Sequence, residues 1–351
     1  MRGADVRVLV ALSGGVDSSV AAAEVLRAGH EVVGVTLRLW GGASDSGCCS
    51  VSDVEDARRA AGQLGIEHHV FNYSDEFDTA VVAPYVEAHA AGRTPNPCIE
   101  CNRHLKFDAL LRRADVLGFD ALATGHHARV VDDAGVRRVA RGADPAKDQS
   151  YVLYTQTDEQ LRRVLFPIGH LTKAQVRAEA AALGLRTADK AESQDVCFIT
   201  RAEGRAAFLS ERIELHPAAV HDVAGDAIGR TDAVELVTIG QRKGLALSGA
   251  ADRRFVVDVD VPGRKVTVGG VGDLLRDGEE LETVVWNGTP TSGRVTAQTS
   301  AHGEPVEATV EATVTGRTVL RWSEPRRRVA PGQSVVLYRD DLVLGGGIVA
   351  S

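Results

Sequence analysis

The sequence predicts an α/β fold, in which a doubly wound, mostly parallel sheet is followed by two small β-rich modules, the last a β-barrel. Two observations support this prediction. Apolar β-type runs alternate with helix-type segments through about the first 200 residues. After about residue 210, short β-rich runs alternate instead with turns of glycine, proline and aspartate. We therefore expect three domains, spanning residues 1–205, 206–274 and 275–351.

The predicted strands of the first domain are short and apolar. Val6–Leu12 is a continuous apolar run, as expected for a strand buried on both faces, and Glu31–Leu39, His69–Phe71 and Ala121–Thr124 follow it. Helices with recognisable start or stop signals lie between and after these strands. They are Val16–Ala28 before Gly29, a helix from the capping box Ser52–Glu55 to Gly65, Glu76–Ala91, Asn102–Leu117, and a helix from Thr172–Gln175 to near Gly184.

The last two domains are predicted to be all-β, because short β-rich runs recur there at regular spacing. That spacing is typical of small barrels or sandwiches. The predicted strands are Val234–Ile239, Phe255–Asp260, Lys265–Val268, Leu281–Trp286, Val306–Val314, Thr318–Trp322, Val335–Tyr338 and Leu342–Val349.

Composition and charge restrict the class of protein. The chain has 351 residues, of which 44% are hydrophobic and 25% charged, as in an ordinary folded protein. It has no apolar stretch long enough to cross a bilayer, and the run after Met1 is too short for a secretory signal. Five cysteines are an odd number for a disulfide scaffold. We therefore expect a cytoplasmic protein, and the net charge of −8 means that an RNA partner must meet local basic patches such as Arg326–Arg328.

The loop Ser13–Ser19 is the strongest chemical signal in the sequence. It reads Ser-Gly-Gly-Val-Asp-Ser-Ser where a buried strand ends and a helix begins, and a helix N-terminus presents unpaired N–H groups to an anion. Gly14 and Gly15 let the backbone approach a phosphate, and the serines add hydroxyl donors. Asp17 suits either orienting the loop N–H groups or holding Mg²⁺. No Gly-Lys-Ser/Thr follows, so the loop is not of the Walker A type.

Three cysteines lie in segments that suggest chemistry. Cys98 and Cys101 follow the proline-stiffened segment Thr94–Pro97, and Asn102 is predicted to cap the next helix. Cys101 would then lie beside a helix N-terminus and near basic side chains, which stabilise a thiolate. Cys197 on its own suits a buried small hydrophobe as well as an exposed thiol, and the polar run before it favours exposure.

Five motifs occur together and in one order, and as a set they resemble the tRNA-specific 2-thiouridylase family, called MnmA or TrmU. That family lies in the PP-loop ATP pyrophosphatase superfamily, whose fold is adenine nucleotide alpha hydrolase-like. The resemblance covers nearly the whole chain, up to Gly345–Gly347. The motifs are Ser13–Ser19, Thr94–Pro97 with Cys101, Lys147–Tyr151, Ser193–Phe198 and Thr238–Leu245.

The resemblance implies a tRNA-uridine 2-sulfurtransferase. Such an enzyme uses ATP, with Mg²⁺, to adenylylate the C2 oxygen of the wobble uridine, and a persulfide then replaces that oxygen with sulfur. The persulfide is implied on Cys197, and Cys101 is implied as the second thiol, which either attacks C2 or resolves the persulfide. The implied partners are tRNA(Lys), tRNA(Glu) and tRNA(Gln), with a cysteine desulfurase or a sulfur-relay protein as the sulfur donor.

The resemblance also implies contact residues for both substrates. The implied ATP-binding residues are Ala11, Leu12, Ser13, Gly14, Gly15, Val16, Asp17, Ser18, Leu37 and Gly125. The implied tRNA-binding residues are His126, Lys147, Asp148, Gln149 and Gln333. Leu37 is equally well explained as an ordinary strand residue, and a single histidine such as His126 is more often structural than catalytic.

Cys98 departs from the family pattern, because many members carry an aspartate there with an acid–base role. Asp195, Glu100 or a water molecule are alternatives for that role. Cys98, Cys101 and Cys197 are also three thiolates that could hold zinc or an iron–sulfur cluster. We do not favour a metal, because a fourth ligand is not evident and coordination competes with persulfide chemistry.

Two other functions use some of the same features. A PP-loop ligase or amidotransferase acting on a small carboxylate would need the loop but neither Cys101 nor Cys197. A non-catalytic RNA-binding protein with a decayed loop is disfavoured by the intact string Ser13–Ser19.

Overall fold

The computed structural model describes residues 6–39, 51–191, 196–199, 204–247, 253–312 and 317–351. They form two compact units, each assembled from three chain segments. Unit 1 comprises the described residues of Met1–Val81, Pro97–Arg201 and Asp340–Leu344. Unit 2 comprises those of Val82–Asn96, Ala202–Arg339 and Gly345–Ser351.

No helix in the described ranges is both long and apolar enough to span a membrane.

Unit 1 is built on a five-stranded parallel sheet with the order β3-β2-β1-β4-β7. The chain first adds strands on one side of β1 and then returns to add β4 on the other side. The gap between β1 and β4 is therefore the topological switch point, where doubly wound folds bind ligands. The strands of unit 1 are β1 (Arg7–Ala11), β2 (Glu31–Arg38), β3 (Glu67–Asn72), β4 (Ala121–Thr124), the hairpin β5 (Ala128–Asp133) and β6 (Val136–Arg141), and β7 (Val164–Leu165).

The core of unit 1 lies on both faces of this sheet. Val8 and Val10 of β1 cluster with Ala22 and Ala57, which lie on the two helices that follow β1 and β2. Leu9 points to the opposite face, because side chains alternate along a strand, and it is also fully buried. The continuous apolar run at the start of the chain is thus a strand covered on both faces, and the predicted doubly wound sheet is confirmed.

The helices follow the strands in the predicted order. Two of them begin with complete capping boxes, formed by Thr157 with Gln160 and by Thr172 with Gln175. They are α1 (Val16–Arg27), α2 (Val51–Leu64), α3 (Ser74–Phe77), α4 (Ala83–Ala90), α5 (Pro97–Glu100), α6 (Leu110–Val116), α7 (Asp158–Leu161), α8 (Lys173–Ala182) and α9 (Gly204–Ser210), with wider π-type turns at Asp78–Val82 and Cys101–Ala109.

Two predicted helix starts are wrong. Ser52 is the second residue of α2 and so does not cap it. Asn102 lies inside a continuous helical segment, residues 97–116, which we call the cysteine helix. That helix begins at Pro97, because proline has no N–H to leave unpaired and its fixed φ suits the first helical position.

Unit 2 contains a small sheet and a closed barrel. The sheet has the order β10-β9-β8-β12-β11, and Val220, Val256 and Val266 lie in its core. The barrel has six antiparallel strands and is closed by the pairing of β13 with β18, which confirms the predicted barrel. The strands are β8 (Ala218–Asp222), β9 (Ala227–Thr231), β10 (Ala246–Leu247), β11 (Phe255–Asp260), β12 (Lys265–Gly269), β13 (Leu275–Trp286), β14 (Gly293–Gln298), β15 (Val306–Ala312), β16 (Thr318–Arg327), β17 (Ser334–Arg339) and β18 (Leu342–Val349).

One predicted strand, Val234–Ile239, is wrong. Val234–Leu236 is a 3₁₀ turn, and Val234 and Val237 are buried in the core of the small sheet. The apolar character of this run therefore reflects the burial of its side chains and not an extended backbone.

Strand β18 begins within unit 1. Its first residue, Leu342, pairs with Ala140 of β6, and Arg129 of β5 forms an ion pair with Asp341 at 3.0 Å. The hairpin of unit 1 is thus completed by residues close to the end of the chain.

Candidate functional site

The loop Ser13–Ser19 joins the end of β1 to the start of α1, at the edge of the switch point. Gly14 has φ +71°, and a Cβ there would lie 2.3 Å from the carbonyl oxygen of Asp53, so only glycine fits. Gly15 is the N-cap of α1. The hydroxyls of Ser18 and Ser19 donate to the Gly15 carbonyl at 3.1 and 2.9 Å, which holds the turn rigid. The first N–H groups of α1 are thus presented by a fixed loop.

Asp17, in the first turn of α1, is the centre of a charged cluster. Its two carboxylate oxygens accept from the ammonium of Lys173 at 2.7 and 2.9 Å, and Nε2 of His127 lies 3.1 Å from one of them. Burial alone would raise the pKa of Asp17, but the hydrogen bonds from His127 and Lys173 outweigh it, and the pKa lies below its usual value. Asp17 is therefore ionised and anchors the side chains of Lys173 and His127.

Lys190 also stabilises the loop Ser13–Ser19 through hydrogen bonds from its ammonium group. Its ammonium donates to the Gly14 carbonyl at 3.0 Å and to Asp53 and Asp56 of α2 at 2.7 and 2.6 Å. Burial would lower the pKa of Lys190, but the bonds to the two carboxylates raise it. This contact ties the loop to the start of α2.

The tripeptide Gly125–His127, which follows β4, connects the loop Ser13–Ser19 to the rest of unit 1. The space that a Cβ of Gly125 would need is filled by the backbone of Asp17 and Ser18, at 2.6 Å from the Ser18 nitrogen. Glycine at this position allows α1 itself to approach, whether or not a nucleotide also does. His127 continues the contact through its bond to Asp17.

His126 is an interior residue. Its side chain is 7% exposed, its Nδ1 lies 2.8 Å from the Thr124 hydroxyl, and its ring packs against Phe107 and Phe166. Burial, with the nearby charge of Lys106, holds the pKa of His126 well below 6.5, so the ring is neutral. Phe107 belongs to the cysteine helix, so His126 packs that helix against the end of β4.

The cysteine helix places its two thiols differently from the prediction. Cys98 is in the first turn and is partly exposed, whereas Cys101 lies one turn further along and is buried, at 8% exposure. Cys101 is therefore not beside the helix N-terminus, and the predicted stabilisation of its thiolate by that N-terminus is wrong. Asn102 anchors the helix by donating to the Val152 carbonyl at 3.2 Å.

Cys197 is partly exposed, while its neighbour Phe198 is buried and packs edge-to-face on Phe77 at 5.7 Å. Phe198 is thus part of the core, whereas the cysteine before it is partly accessible to solvent. The motif residues Ser193, Gln194 and Asp195 lie outside the described residues.

The segment Lys147–Gln149 packs under the residues after β4. Asp148 is buried and accepts from Arg141 at 2.9 Å, from the Gly142 and Ser150 backbone and from the Ser150 hydroxyl. Gln149 accepts from the backbone N–H of His127 at 2.9 Å. Asp148 is therefore an internal structural residue, and Lys147 remains partly exposed.

The remaining predicted ATP residues follow the edges of the sheet. Ala11 ends β1, and Leu12 is buried behind the loop with its carbonyl accepting from the Thr36 hydroxyl at 2.7 Å. Val16 is the first residue of α1 and is buried. Leu37 lies at the carboxyl end of β2 and is 7% exposed.

Gln333, in unit 2, holds the segment that precedes the cysteine helix. Its amide donates to the Thr94 carbonyl, and Thr94 donates its N–H to the Pro331 carbonyl at 2.8 Å. Gly332, with φ +88°, lies so close that a Cβ would be 3.0 Å from the Thr94 nitrogen. The Thr94 hydroxyl also lies 3.3 Å from that of Thr238. The Thr94 and Thr238 motifs are therefore in contact within unit 2.

In the part of the chain that the structure describes, no group of three or more histidine, cysteine, aspartate or glutamate side chains could hold a metal ion.

Three sequence-family models match successive parts of the chain. A tRNA methyl transferase HUP domain matches residues 6–201, a tRNA methyl transferase PRC-barrel domain matches 206–270, and an aminomethyltransferase beta-barrel domain matches 276–349. The chain is 44% identical over 356 residues to the tRNA-specific 2-thiouridylase MnmA of Carboxydothermus hydrogenoformans, covering 98% of this chain and 97% of that protein. The chain belongs to the MnmA family.

A second MnmA relative also matches nearly the whole chain. The MnmA of Mycolicibacterium gilvum is 47% identical over 347 residues, with 95% of each chain covered. Among solved structures, a 4-thiouridine synthetase–RNA complex with bound ATP aligns with a TM-score of 0.38 and 19% identity, over 55% of this chain and 44% of that one.

The MnmA-type motifs do not include all the residues that build this site. The sequence does not predict the roles of Lys173 and Lys190 or the contact of His127 with Asp17. One signal was available, because a lysine in the first turn of a helix, such as Lys173, opposes the helix dipole. Lys190 carried no local signal, since its partners are distant in sequence.

Proposed function

We propose that the chain is a tRNA-uridine 2-sulfurtransferase that converts the wobble uridine of tRNA to 2-thiouridine. One observation carries this proposal. The residues after β4 pack on the PP-loop through Gly125 and His127, and on the cysteine helix through His126. A loop suited to ATP and a helix carrying Cys101 are thus held by one tripeptide within unit 1.

The first step is activation of the base. The C2 oxygen of uridine attacks the α-phosphorus of ATP, the bond from that phosphorus to the bridging oxygen breaks, and pyrophosphate leaves. A rigid helix N-terminus at the loop supports this step, because preorganised N–H groups stabilise developing phosphate charge. ATP enters with Mg²⁺ on its phosphates as part of the substrate, and we assign no described residue as a ligand of that ion.

The second step is the transfer of sulfur. A persulfide on Cys197 supplies its terminal sulfur to C2, AMP leaves with the former C2 oxygen, and Cys101 acts as the second thiol. If Cys101 attacks C2 first, it displaces AMP, and the terminal persulfide sulfur then displaces Cys101 from C2; in the other route the persulfide sulfur displaces AMP itself. In both routes the Cys101 thiolate then attacks the inner sulfur of Cys197, which releases 2-thiouridine and leaves a Cys101–Cys197 disulfide that an external thiol reduces. The partial exposure of Cys197 supports a role in accepting sulfur from a donor protein.

We propose the following contacts for the substrates. The ATP-binding residues are Ala11, Leu12, Ser13, Gly14, Gly15, Val16, Asp17, Ser18, Leu37 and Gly125, and those for tRNA are His126, Lys147, Asp148, Gln149 and Gln333. Lys147 acts through its charge, whereas His126 and Asp148 are buried and act by shaping the surface around them. The target base must leave its stack to reach a thiol and an adenylate.

The wider setting of the reaction is also a proposal. The limits of the three matched family models support a division of the chain near residues 205 and 274. We place the enzyme in the cytoplasm, with tRNA(Lys), tRNA(Glu) and tRNA(Gln) as substrates and a cysteine desulfurase or sulfur-relay protein as the donor.

The test separates the two steps. The protein is incubated with unmodified tRNA, ATP, a cysteine desulfurase and cysteine, and the nucleosides are analysed by mass spectrometry. We expect 2-thiouridine with the wild-type protein. Cys197→Ser is expected to lose thiolation but to keep ATP-dependent adenylylation of tRNA. Thiolation by Cys197→Ser would remove Cys197 from the mechanism, and a wild-type protein that makes no 2-thiouridine would contradict the proposed function.

A further inference from the structure

We propose that Lys173 supplies the positive charge that the PP-loop sequence lacks, by contacting the β- and γ-phosphates of ATP. The inference deepens the proposed ATP-dependent function and rests on it. The string Ser13–Ser19 contains no lysine or arginine, so a cationic side chain that contacts the phosphates has to come from elsewhere in the fold.

Lys173 reaches the loop from a distant part of the chain. It is the first residue of α8, 156 positions from Asp17, and its ammonium lies 2.7 and 2.9 Å from the two Asp17 oxygens. Because Asp17 is in the first turn of α1, this ammonium lies beside the helix end that the loop presents.

The start of α8 is fixed by several contacts. Thr172 and Gln175 form a complete capping box, and the backbone N–H of Lys173 donates to Asp144 at 2.9 Å. The Lys173 side chain is also only 13% exposed. The charge is therefore held in a defined place, which favours electrostatic stabilisation without reorganisation.

Lysine is a poor choice for this position by local criteria. The N-terminus of a helix carries partial positive charge and favours acidic side chains, so a lysine in the first turn of α8 costs helix stability. Its burial beside α1 adds a desolvation cost. Because Lys173 carries both of these costs, its presence is better explained by a role other than helix formation.

Neutralisation of Asp17 is the alternative explanation. Asp17 also has His127 as a partner at 3.1 Å, so Lys173 is not its only source of compensation. Lys190, the second lysine at the loop, differs because it lies between the carboxylates of Asp53 and Asp56 and donates to a backbone carbonyl. Its charge is outweighed by its own partners, which leaves Lys173 as the better phosphate contact.

The first test compares three probes on the full-length protein. Binding of ATP, pyrophosphate and AMP to wild type and Lys173→Met is measured by isothermal titration calorimetry. A charge-assisted contact to the β- and γ-phosphates predicts that ATP and pyrophosphate bind about tenfold or more weakly, while AMP binds within about twofold of wild type. Unchanged ATP affinity in Lys173→Met would overturn the inference.

A double variant separates a phosphate contact from neutralisation of Asp17. In Asp17→Asn/Lys173→Met neither charge remains. If Lys173 served only to neutralise Asp17, the double variant should therefore regain the ATP affinity that Lys173→Met loses. We expect the double variant to stay about tenfold weaker for ATP than Asp17→Asn alone. Recovery to the affinity of Asp17→Asn, or an equal loss of ATP and AMP in both variants, would overturn the inference.

Lys265→Met provides the matched control. Lys265 lies on β12 of unit 2 and is exposed, so its removal should leave the affinity for all three probes unchanged. Failure of the proposed function gives a different result from failure of the Lys173 contact. A wild-type protein that binds neither ATP nor AMP would contradict the proposed use of ATP, and the proposed role of Lys173 would then fail as well.

Discussion

Gly125 and Ser18 are packed backbone against backbone: a Cβ on Gly125 would lie 2.6 Å from the Ser18 nitrogen. The last residue of β4, Thr124, pairs with Ala11 at the end of β1, so both segments leave the sheet side by side. Gly125 thus sets how closely the strand end approaches the helix that carries the loop. The separation of these two backbones therefore sets the position of the loop Ser13–Ser19 relative to the end of β4.

Gly125→Ala is expected to displace the start of α1. The added methyl group meets backbone and not a flexible side chain, so overpacking should lower the free energy of unfolding by about 1–3 kcal/mol. ATP affinity should fall about tenfold or more, because the first N–H groups of α1 move with the helix. Calorimetry and chemical denaturation measure the two effects.

Gly62→Ala is the control for this change. Gly62 lies in α2, and a Cβ there would have no atom within 4 Å. The substitution should leave ATP binding unchanged and stabilise the helix by about 0.5–1 kcal/mol. If Gly125→Ala also left ATP affinity unchanged and did not destabilise the protein, the close approach of Gly125 to Ser18 would not matter for ATP binding.

His89 is expected to make unit 2 sensitive to acid. Burial, with the nearby charge of Arg205, lowers the pKa of His89 from 6.5 to about 4, and its side chain is 2% exposed. In the unfolded chain His89 is protonated below about pH 6.5, whereas in the folded protein it stays neutral down to about pH 4. The free energy of unfolding therefore falls as the pH falls from about 6.5 to about 4. The expected loss between pH 7 and pH 5 is about 2 kcal/mol.

Urea denaturation at pH 7 and pH 5 measures this loss. In His89→Gln the pH-dependent difference should shrink by about 2 kcal/mol, whatever the variant does to stability at pH 7. The exposed His302→Gln serves as the control and should keep the wild-type difference. Burial would raise the pKa of Glu235, but bonds from His216 lower it below 4.5, so the contribution of Glu235 to stability is kept throughout the measured range from pH 7 to pH 5. Equal pH dependence in wild type and His89→Gln would contradict the prediction.

Gln333→Glu is expected to release the Thr94 segment. The amide donates to the Thr94 carbonyl, and a carboxylate in its place would set two acceptors against each other. The loss of this bond should lower the free energy of unfolding of unit 2 by about 1–3 kcal/mol, measured by chemical denaturation. The exposed Glu304→Gln changes one charge in the opposite sense and should alter stability by less than about 0.5 kcal/mol.

Cys98→Asp is expected to keep thiolation within about threefold of wild type. Cys98 is in the first turn of the cysteine helix, where the helix dipole favours a negative side chain, so an aspartate is accommodated there. Cys101→Asp should abolish thiolation, because it removes a proposed catalytic thiol. Both are measured as 2-thiouridine per tRNA by mass spectrometry. A loss above about tenfold in Cys98→Asp would assign Cys98 a role that needs its thiol.

Local sequence signals predicted much of the fold. Phe255–Asp260 and Leu342–Val349 have the predicted bounds, and the capping box at Thr172 begins a helix as expected. These signals depend on residues close in sequence, namely side-chain periodicity and capping hydrogen bonds. The cysteine helix begins earlier than predicted, because Pro97 is a favourable first helical residue and Asn102 is not needed as a cap.

Contacts between distant residues could not be predicted in the same way. The loop Ser13–Ser19 was found from its string, but the partners of Asp17 come from His127 and Lys173, which the sheet order brings to the switch point. The resemblance implies His126 as a tRNA contact, but its packing against two aromatic rings from different segments has no local signal in the sequence. Such neighbours depend on topology, which the local pattern does not contain.

The chain order of the two units has a consequence for synthesis on the ribosome. The hairpin of unit 1 is completed by Asp341 and Leu342, which are translated after almost all of unit 2. A nascent chain with only its first 205 residues outside the exit tunnel therefore has an unfinished ATP-binding unit, and its segment Val82–Asn96 still awaits its partners. The residues that contact the loop Ser13–Ser19 all lie within those first 205 residues, so the part of unit 1 that is completed last is its hairpin and not its loop.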